Sequence, residues 1–98
     1  MNCMIKKNIL TIIDGAHVPA HIDLDIKKLD PDFYCGACHK WMCSPKGAAF
    51  LYVKGEYQKM MEPLVVSWGY EAENPSDSQY LDYMQWQGTN DMLSLIHI

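Results

Sequence analysis

The chain contains no arginine: all eight of its cations are lysines, set against twelve Asp and Glu residues, for a formal net charge of -4. Arginine normally reads bases and phosphates, so an acidic chain without it is a poor nucleic-acid binder, and no nucleic-acid partner is expected. No apolar run approaches the ~20 residues of a membrane span, so no membrane partner is expected either. Met1-Asn2-Cys3-Met4-Ile5-Lys6-Lys7 lacks the apolar centre and small-residue cleavage site of a secretory signal. A cytoplasmic location follows as the default. The four cysteines then read as thiols rather than as a disulfide framework. Internal repeats and low-complexity stretches are absent as well.

What is present is a series of short apolar runs. Ile9 to Ile13 is β-branched and ends sharply at Asp14-Gly15, as a strand covered on both faces would. Lys6 and Lys7 before it suit the end of a helix. Asp23 to Leu29 allows one or two helical turns, and Asp30-Pro31-Asp32 is a turn. Phe33-Tyr34-Cys35 reads as the next strand. Ala48 to Val53 is the clearest strand of all. Gly55 to Leu64 suggests a short helix stopped by Pro63, and Leu64 to Trp68 an extended stretch. Glu71 to Ser78 reads as a surface loop, and the loose alternation from Tyr80 to Gln87 as a strand. Strands alternating with helical stretches favour an α/β sheet. Too few helices are present to cover both faces, so the chain is expected to be a piece of a larger domain. The last six residues, Leu93 to Ile98, are the in-frame translation of a common transposon-end sequencing adapter, CTG TCT CTT ATA CAC ATC, and are expected to be a non-native tail.

The chemistry concentrates at two strand ends. Ligands of open α/β sheets bind outside the carboxyl edge of the strands. Asp14 ends the first strand, and Gly15 and Ala16 leave room for a flat ligand. His17 follows in the same loop. Lys40 follows the second strand, flanked by His39 and Trp41. Alone, each residue has a bland reading: a solvated Asp, a surface Lys, packing histidines. Trp41 reads as packing near this loop, His21 as a loop cap, Lys46 as a solvated turn residue, and Trp68 and Trp86 as core or interface residues.

Asp14-Gly15-Ala16-His17, Cys38-His39-Lys40-Trp41 and Ser44-Pro45-Lys46-Gly47, in that order, resemble the class V aminotransferase family of pyridoxal-phosphate (PLP) enzymes. Within it the chain is most similar to the isopenicillin N epimerase-like group. The resemblance runs from about Ile5 to Asp91. It implies that residues 1–92 are part of the large PLP-binding domain of a fold-type I enzyme, a mostly parallel sheet with flanking helices. It implies a Schiff base between Lys40 and the PLP aldehyde, for which the lysine must shed its proton. The freed amine would then move the Cα proton of an amino-acid substrate. Asp14 would pair with the pyridinium nitrogen so that the ring draws electrons. His17 would lie near the ring's phenolic oxygen, where relatives often carry Gln, and His39 would help hold the phosphate. Gly88-Thr89 resembles the segment that reaches a neighbouring subunit's phosphate, which implies a homodimer of the full-length protein.

Some positions depart from the family. Ala37 stands three before the lysine, where relatives often have a polar phosphate-binding residue, so a contact is lost or a backbone N–H replaces it. Asn90 precedes Asp91 where an Arg is expected. The phosphate loop, the group stacking on the ring and the substrate-clamping Arg all lie outside the chain, so activity of this piece alone is not expected. Epimerisation, transamination and sulfur extraction from cysteine share the visible residues. The Trp after His39-Lys40, together with His17, favours the epimerase-like group. A desulfurase would need a loop cysteine in a region not present.

Cys35-Gly36-Ala37-Cys38-His39 also matches the c-type haem signature C-x-x-C-H. The lack of an export segment and the abutting Lys40-Trp41 count against it. Cys35, Cys38, His39 and Cys43 offer four donors for zinc, although neighbours Cys38 and His39 would point apart on an extended strand. Small buried thiols are the plain alternative, and no metal is assigned.

Overall fold

A computed structural model describes residues 9–84. The proposed helix end at Lys6-Lys7, the positions Trp86, Gly88, Thr89, Asn90 and Asp91, and the tail Leu93–Ile98 lie outside the described residues. The chain divides after Lys54 into two compact units.

The first unit is built on a three-stranded sheet in the order β1 (Ile12–Asp14), β2 (Phe33–Ala37), β3 (Ala49–Val53). β1 and β2 are parallel, with Asp14 opposite Cys35. β2 and β3 are antiparallel, with Tyr34 opposite Tyr52 and Gly36 opposite Phe50. The connections explain the difference. Between β1 and β2 the chain makes a long crossover that includes a helical turn, as parallel pairing requires. Residues 38–48 contain no helix and simply double back. The described sheet is therefore mixed.

The helical turn of the crossover, α1 (Ile26–Leu29), is set by its ends. Asp25 caps it, accepting from the Lys28 N–H at 3.0 Å, and Lys27 and Lys28 sit in its last turn, where cations are favoured. Asp30 closes it in the left-handed conformation (φ 47°), and Pro31 cannot continue it.

β1 begins later than its apolar run suggests because Thr11 has another task. Its N–H and its hydroxyl both donate to Asp32 Oδ2, at 2.7 and 2.9 Å, and its hydroxyl accepts from the Asp32 N–H at 3.0 Å. The Phe33 N–H adds a bond to the Thr11 carbonyl at 3.0 Å. This clamp joins the start of β1 to the start of β2. The two Thr11 bonds, and to a lesser degree the charge of Lys54, hold the Asp32 carboxyl below the usual carboxylate range, against a smaller opposing effect of burial.

Buried side chains lie on both faces of the sheet: Val53, paired with Phe33, on one, and Tyr34, paired with Tyr52 and beside Phe50, on the other. Tyr34 is 1% exposed and Val53 2%. The Tyr34 and Phe50 rings stack with centroids 6.1 Å apart. Glycine is required on the Tyr34 face at two places: a Cβ on Gly15 would strike the Tyr34 phenol, and one on Gly36 would strike the Phe50 ring and Pro19.

The second unit, described over residues 55–84, has a 3-10 helix (Gly55–Met60) and a helix α2 (Gln79–Met84). The helix predicted from Gly55 is thus shorter and tighter than expected. The stretch from Leu64 to Trp68, expected to be extended, bends at Leu64 and Val65 and enters a turn at Trp68. The strand predicted from Tyr80 is corrected to a helix over the residues described. Ser78 decides it: its hydroxyl accepts from the Leu81 N–H at 3.3 Å and its carbonyl from the Asp82 N–H at 3.0 Å. Asp82 in the first turn reaches back to the Ser76 N–H at 2.8 Å. A capped start outweighs a loose alternation of apolar residues.

Candidate active site at the carboxyl edge of the sheet

Asp14 is the last residue of β1, and the chain turns at once. The Gly15 N–H bonds the Cys35 carbonyl at 2.9 Å, which holds the turn against β2, and the Val18 N–H closes it onto the Gly15 carbonyl at 2.9 Å. Asp14 Oδ1 accepts from the Ala16 N–H at 3.0 Å and from the Cys35 thiol at 3.6 Å. Both bonds fall on one oxygen, so among the described residues Oδ2 keeps its lone pairs for another donor. His17 rides on this turn.

Lys40 arrives from the loop after β2. That loop is pinned by the Cys38 and His39 N–H groups, which both donate to the Ala48 carbonyl, at 2.9 and 3.2 Å. It is closed by Ser44 N–H to the Cys38 carbonyl and Cys43 N–H to the Lys40 carbonyl, each at 3.1 Å, with Cys43 at φ 55°. Ala37 itself is buried. The backbone N–H groups next to it are committed to Ala48, so neither replaces the polar side chain missing at position 37.

The two loops meet at His17. Lys40 Nζ lies 3.1 Å from His17 Nε2, and the Trp41 indole N–H donates to His17 Nδ1 at 3.3 Å. Trp41 in turn stacks on His21, with centroids 4.4 Å apart and planes 24° from parallel. His21 is thus a stacking partner rather than a loop cap. His39 points its Nδ1 at the Ala48 carbonyl, 2.9 Å away. A neutral His39 with its proton there keeps only a lone pair on Nε2, so it offers an anion a hydrogen bond only as the imidazolium.

The structure therefore brings Asp14, His17, Lys40 and His39 to one edge of one sheet, and adds Trp41 and His21, whose contacts the residue pattern did not signal. Gly88 and Thr89 lie outside the described residues. A hollow of about 580 Å³ adjoins Asp14 and Gly15, but its walls are formed largely by Val18, Ile22, Leu24 and Tyr34, without His17 or Lys40. The thiols do not converge: among the described residues no three His, Cys, Asp or Glu side chains are grouped to hold a metal ion. Cys35 is turned toward Asp14 and the Ile13 carbonyl, and Cys43 toward the Trp41 carbonyl. Among the described residues no helix is long and apolar enough to cross a membrane.

The strand-end carboxylate of Asp14 and the Lys40–His17 pair thus sit at the carboxyl edge of two parallel strands. The Aminotransferase class-V family model matches residues 1–96. The chain belongs to the class V aminotransferase family. Isopenicillin N epimerase of Amycolatopsis lactamdurans is 36% identical over 96 residues, which is 89% of this chain and 24% of that protein. Hercynylcysteine sulfoxide lyase of Schizosaccharomyces pombe is 43% identical over 65 residues, 66% of this chain and 17% of that protein. The fold is that of a fold-type I member: the apo structure of a cysteine desulfurase from Thermococcus onnurineus NA1 superposes with a TM-score of 0.72 at 21% identity, over 93% of this chain and 24% of that one. The chain thus spans about a quarter, or less, of the length of the class V relatives it matches.

Proposed function

We propose that the chain is part of the large domain of a PLP enzyme that acts on an amino acid by removing its Cα proton, of the isopenicillin N epimerase-like kind. One observation carries the reading: the Lys40 amine and the loop that starts at Asp14 are tied together, 3.1 Å apart at His17, at the carboxyl edge of β1 and β2. The donor set fits the cofactor. Lys40 is the amine that takes its aldehyde. Asp14 Oδ2 is the free acceptor for a ring N–H. His17 would hold the lysine nitrogen, and His39 would help hold the phosphate. Gly88 and Thr89 complete the phosphate site across a homodimer. When bound, PLP supplies a carbonyl carbon for an amine and a ring that withdraws electrons.

The chain's own residues supply the rest. The Asp14 carboxylate keeps a proton on the group it faces, because a nearby negative charge favours the protonated cation. Lys40, once uncharged, is the general base for a proton held beside it. His17 holds the lysine nitrogen in place.

A second reading has its own support. The likeness to hercynylcysteine sulfoxide lyase, and to a probable cysteine desulfurase of Pyrococcus abyssi that is 31% identical over 67 residues, favours carbon–sulfur cleavage from the same lysine. Sulfide release against epimer formation by the full-length protein separates the two. The common core is tested on the chain itself. Incubation with PLP and then borohydride should place the cofactor's mass on the peptide containing Lys40 and on no other, and Lys40→Ala should abolish it. Labelling spread evenly over the lysines would end the reading. Turnover by the 98-residue chain alone is expected to be nil.

A further inference from the structure

We propose that Trp41 is a positioning residue for Lys40: by donating its indole N–H to His17, it selects the imidazole tautomer that leaves Lys40 as the uncharged amine. The inference rests on the reading of Lys40 as the cofactor-holding lysine and deepens it.

The argument is an inventory of donors and acceptors. An indole N–H only donates. At 3.3 Å from it, His17 Nδ1 must accept, so it carries no proton. The single proton of a neutral imidazole is then on Nε2, which faces Lys40 Nζ at 3.1 Å. An N–H can donate to an amine, which has a lone pair, but not to an ammonium, which has none. Reversing the roles breaks the chain of bonds. An ammonium at Lys40 needs the lone pair of Nε2, which moves the ring proton to Nδ1 and sets it against the Trp41 N–H. A doubly protonated ring has no lone pair for the Trp41 N–H and loses that bond. The Trp41–His17 and His17–Lys40 bonds coexist only while Lys40 is uncharged, and that is the form that attacks an aldehyde. By linkage, each bond favours the other.

The device is held from outside as well. The Trp41 ring lies on His21. His21 is placed by a turn in which the His21 and Ile22 N–H groups both bond the Val18 carbonyl, at 3.0 and 3.2 Å, with Ala20 in the left-handed region at φ 61°. Alanine tolerates that conformation poorly, so the turn is maintained by its surroundings. A tryptophan serving only to pack would have no use for its N–H, whereas here it meets a lone pair one residue along from the lysine.

The test is trace acetylation of the full chain with acetic anhydride at one neutral pH, with Lys27 and Lys28 as internal references, alongside nitrogen NMR of the His17 ring. Trp41→Phe keeps a ring for His21 and removes only the N–H. It should slow Lys40 acetylation about two- to tenfold, the worth of one net hydrogen bond, and turn a single His17 tautomer into a mixture. His17→Gln should retain most of the Lys40 reactivity, since its amide oxygen can accept from Trp41 while its NH₂ donates to Lys40. On a His17→Phe background Trp41→Phe should change nothing, as a coupled pair requires. An unchanged Lys40 rate in Trp41→Phe, or a proton on Nδ1 of His17 in the parent chain, overturns the proposal. Failure of PLP and borohydride to mark Lys40, with the Trp41 effect intact, would sink the cofactor reading and leave the tautomer mechanism standing.

Discussion

Residues 9–54 and residues 55–84 are held by different kinds of interaction. In the first stretch Tyr34 and Pro31 are almost fully buried, and β1, β2 and the Thr11–Asp32 clamp join positions about twenty residues apart. In the second no described side chain is buried. Leu64, Val65, Val66 and Trp68 are exposed. The bonds that start α2 are local, a cap and a carboxylate six residues from its partner, and the Tyr70 and Tyr83 rings meet at the surface with centroids 4.5 Å apart. All the candidate site residues within the described part of the chain belong to the first kind. Long-range pairing fixes a loop to within a hydrogen bond's length, and a site that must place an amine against an imidazole needs such a base.

The sharpest way to break the comparison is Tyr34→Ala. It empties the space under Gly15 and beside Phe50, and the usual loss for a large buried ring is about 3–5 kcal/mol. The urea midpoint of the full chain should fall accordingly. Amide exchange should accelerate across β1 to β3 and change little in α2. Equal acceleration in both stretches would show that they stand or fall together, and the contrast would be lost.

Asp32→Asn comes next, at about 1–2 kcal/mol, since the carboxylate accepts two hydrogen bonds but is only half-buried. The sign of its pH dependence follows from the direction of the shift. The folded carboxyl binds its proton less readily than the unfolded one, chiefly because the Thr11 N–H donates to it. Its contribution is fully present above the unfolded value near pH 4 and is lost as the pH falls through the lower folded value. Acid titration of the parent chain should show this loss of stability, and Asp32→Asn should flatten it. Thr11→Val, which removes the hydroxyl's share of the clamp, should flatten it in part.

Ser78→Ala sharpens the contrast from the other side. It removes an N-cap, a loss of about 1 kcal/mol to the helix it starts. Protection at Leu81 and Asp82 should fall while β2 is untouched. An effect reaching β2 would show that the second stretch supports the first.

The same contrast decides what was legible in the residues. Phe33-Tyr34-Cys35 and Ala48 to Val53 read correctly as strands because aromatic and β-branched side chains pack on a pleated face, and the structure extends the first to Ala37. The helical turn expected within Asp23 to Leu29 and its stop at Asp30-Pro31 are present, since prolines act locally, although the helix begins only after Asp25. Placing Asp14, His17 and Lys40 at one edge needed only the rule that ligands gather beyond strand carboxyl ends. Three things were not legible. The Tyr80 stretch alternates like a strand, and only the Ser78 bonds make it a helix. The late start of β1 depends on a partner 21 residues away. The stacking of His21 on Trp41 depends on Ala20 at positive φ, a conformation that alanine does not announce.

The smallest expected effect is also the most discriminating. Tyr34 carries a hydroxyl that is buried and makes no hydrogen bond among the described residues, and burial pushes its phenol up from the ordinary value, with the charges of Cys35 and Asp14 adding to it. A buried hydroxyl without a partner loses its hydration and gains nothing in return, whereas the ring beneath it contributes all of its apolar burial. Tyr34→Phe should therefore keep what Tyr34→Ala destroys: the midpoint should hold steady or rise by up to about 1 kcal/mol, with exchange in β2 unchanged. A fall of that size instead would show that the hydroxyl has a hydrogen-bond partner beyond the described residues, in the rest of the chain or in water. The pair of substitutions thus separates two roles of one side chain, the ring as a filler of the core and the hydroxyl as a polar group beside it.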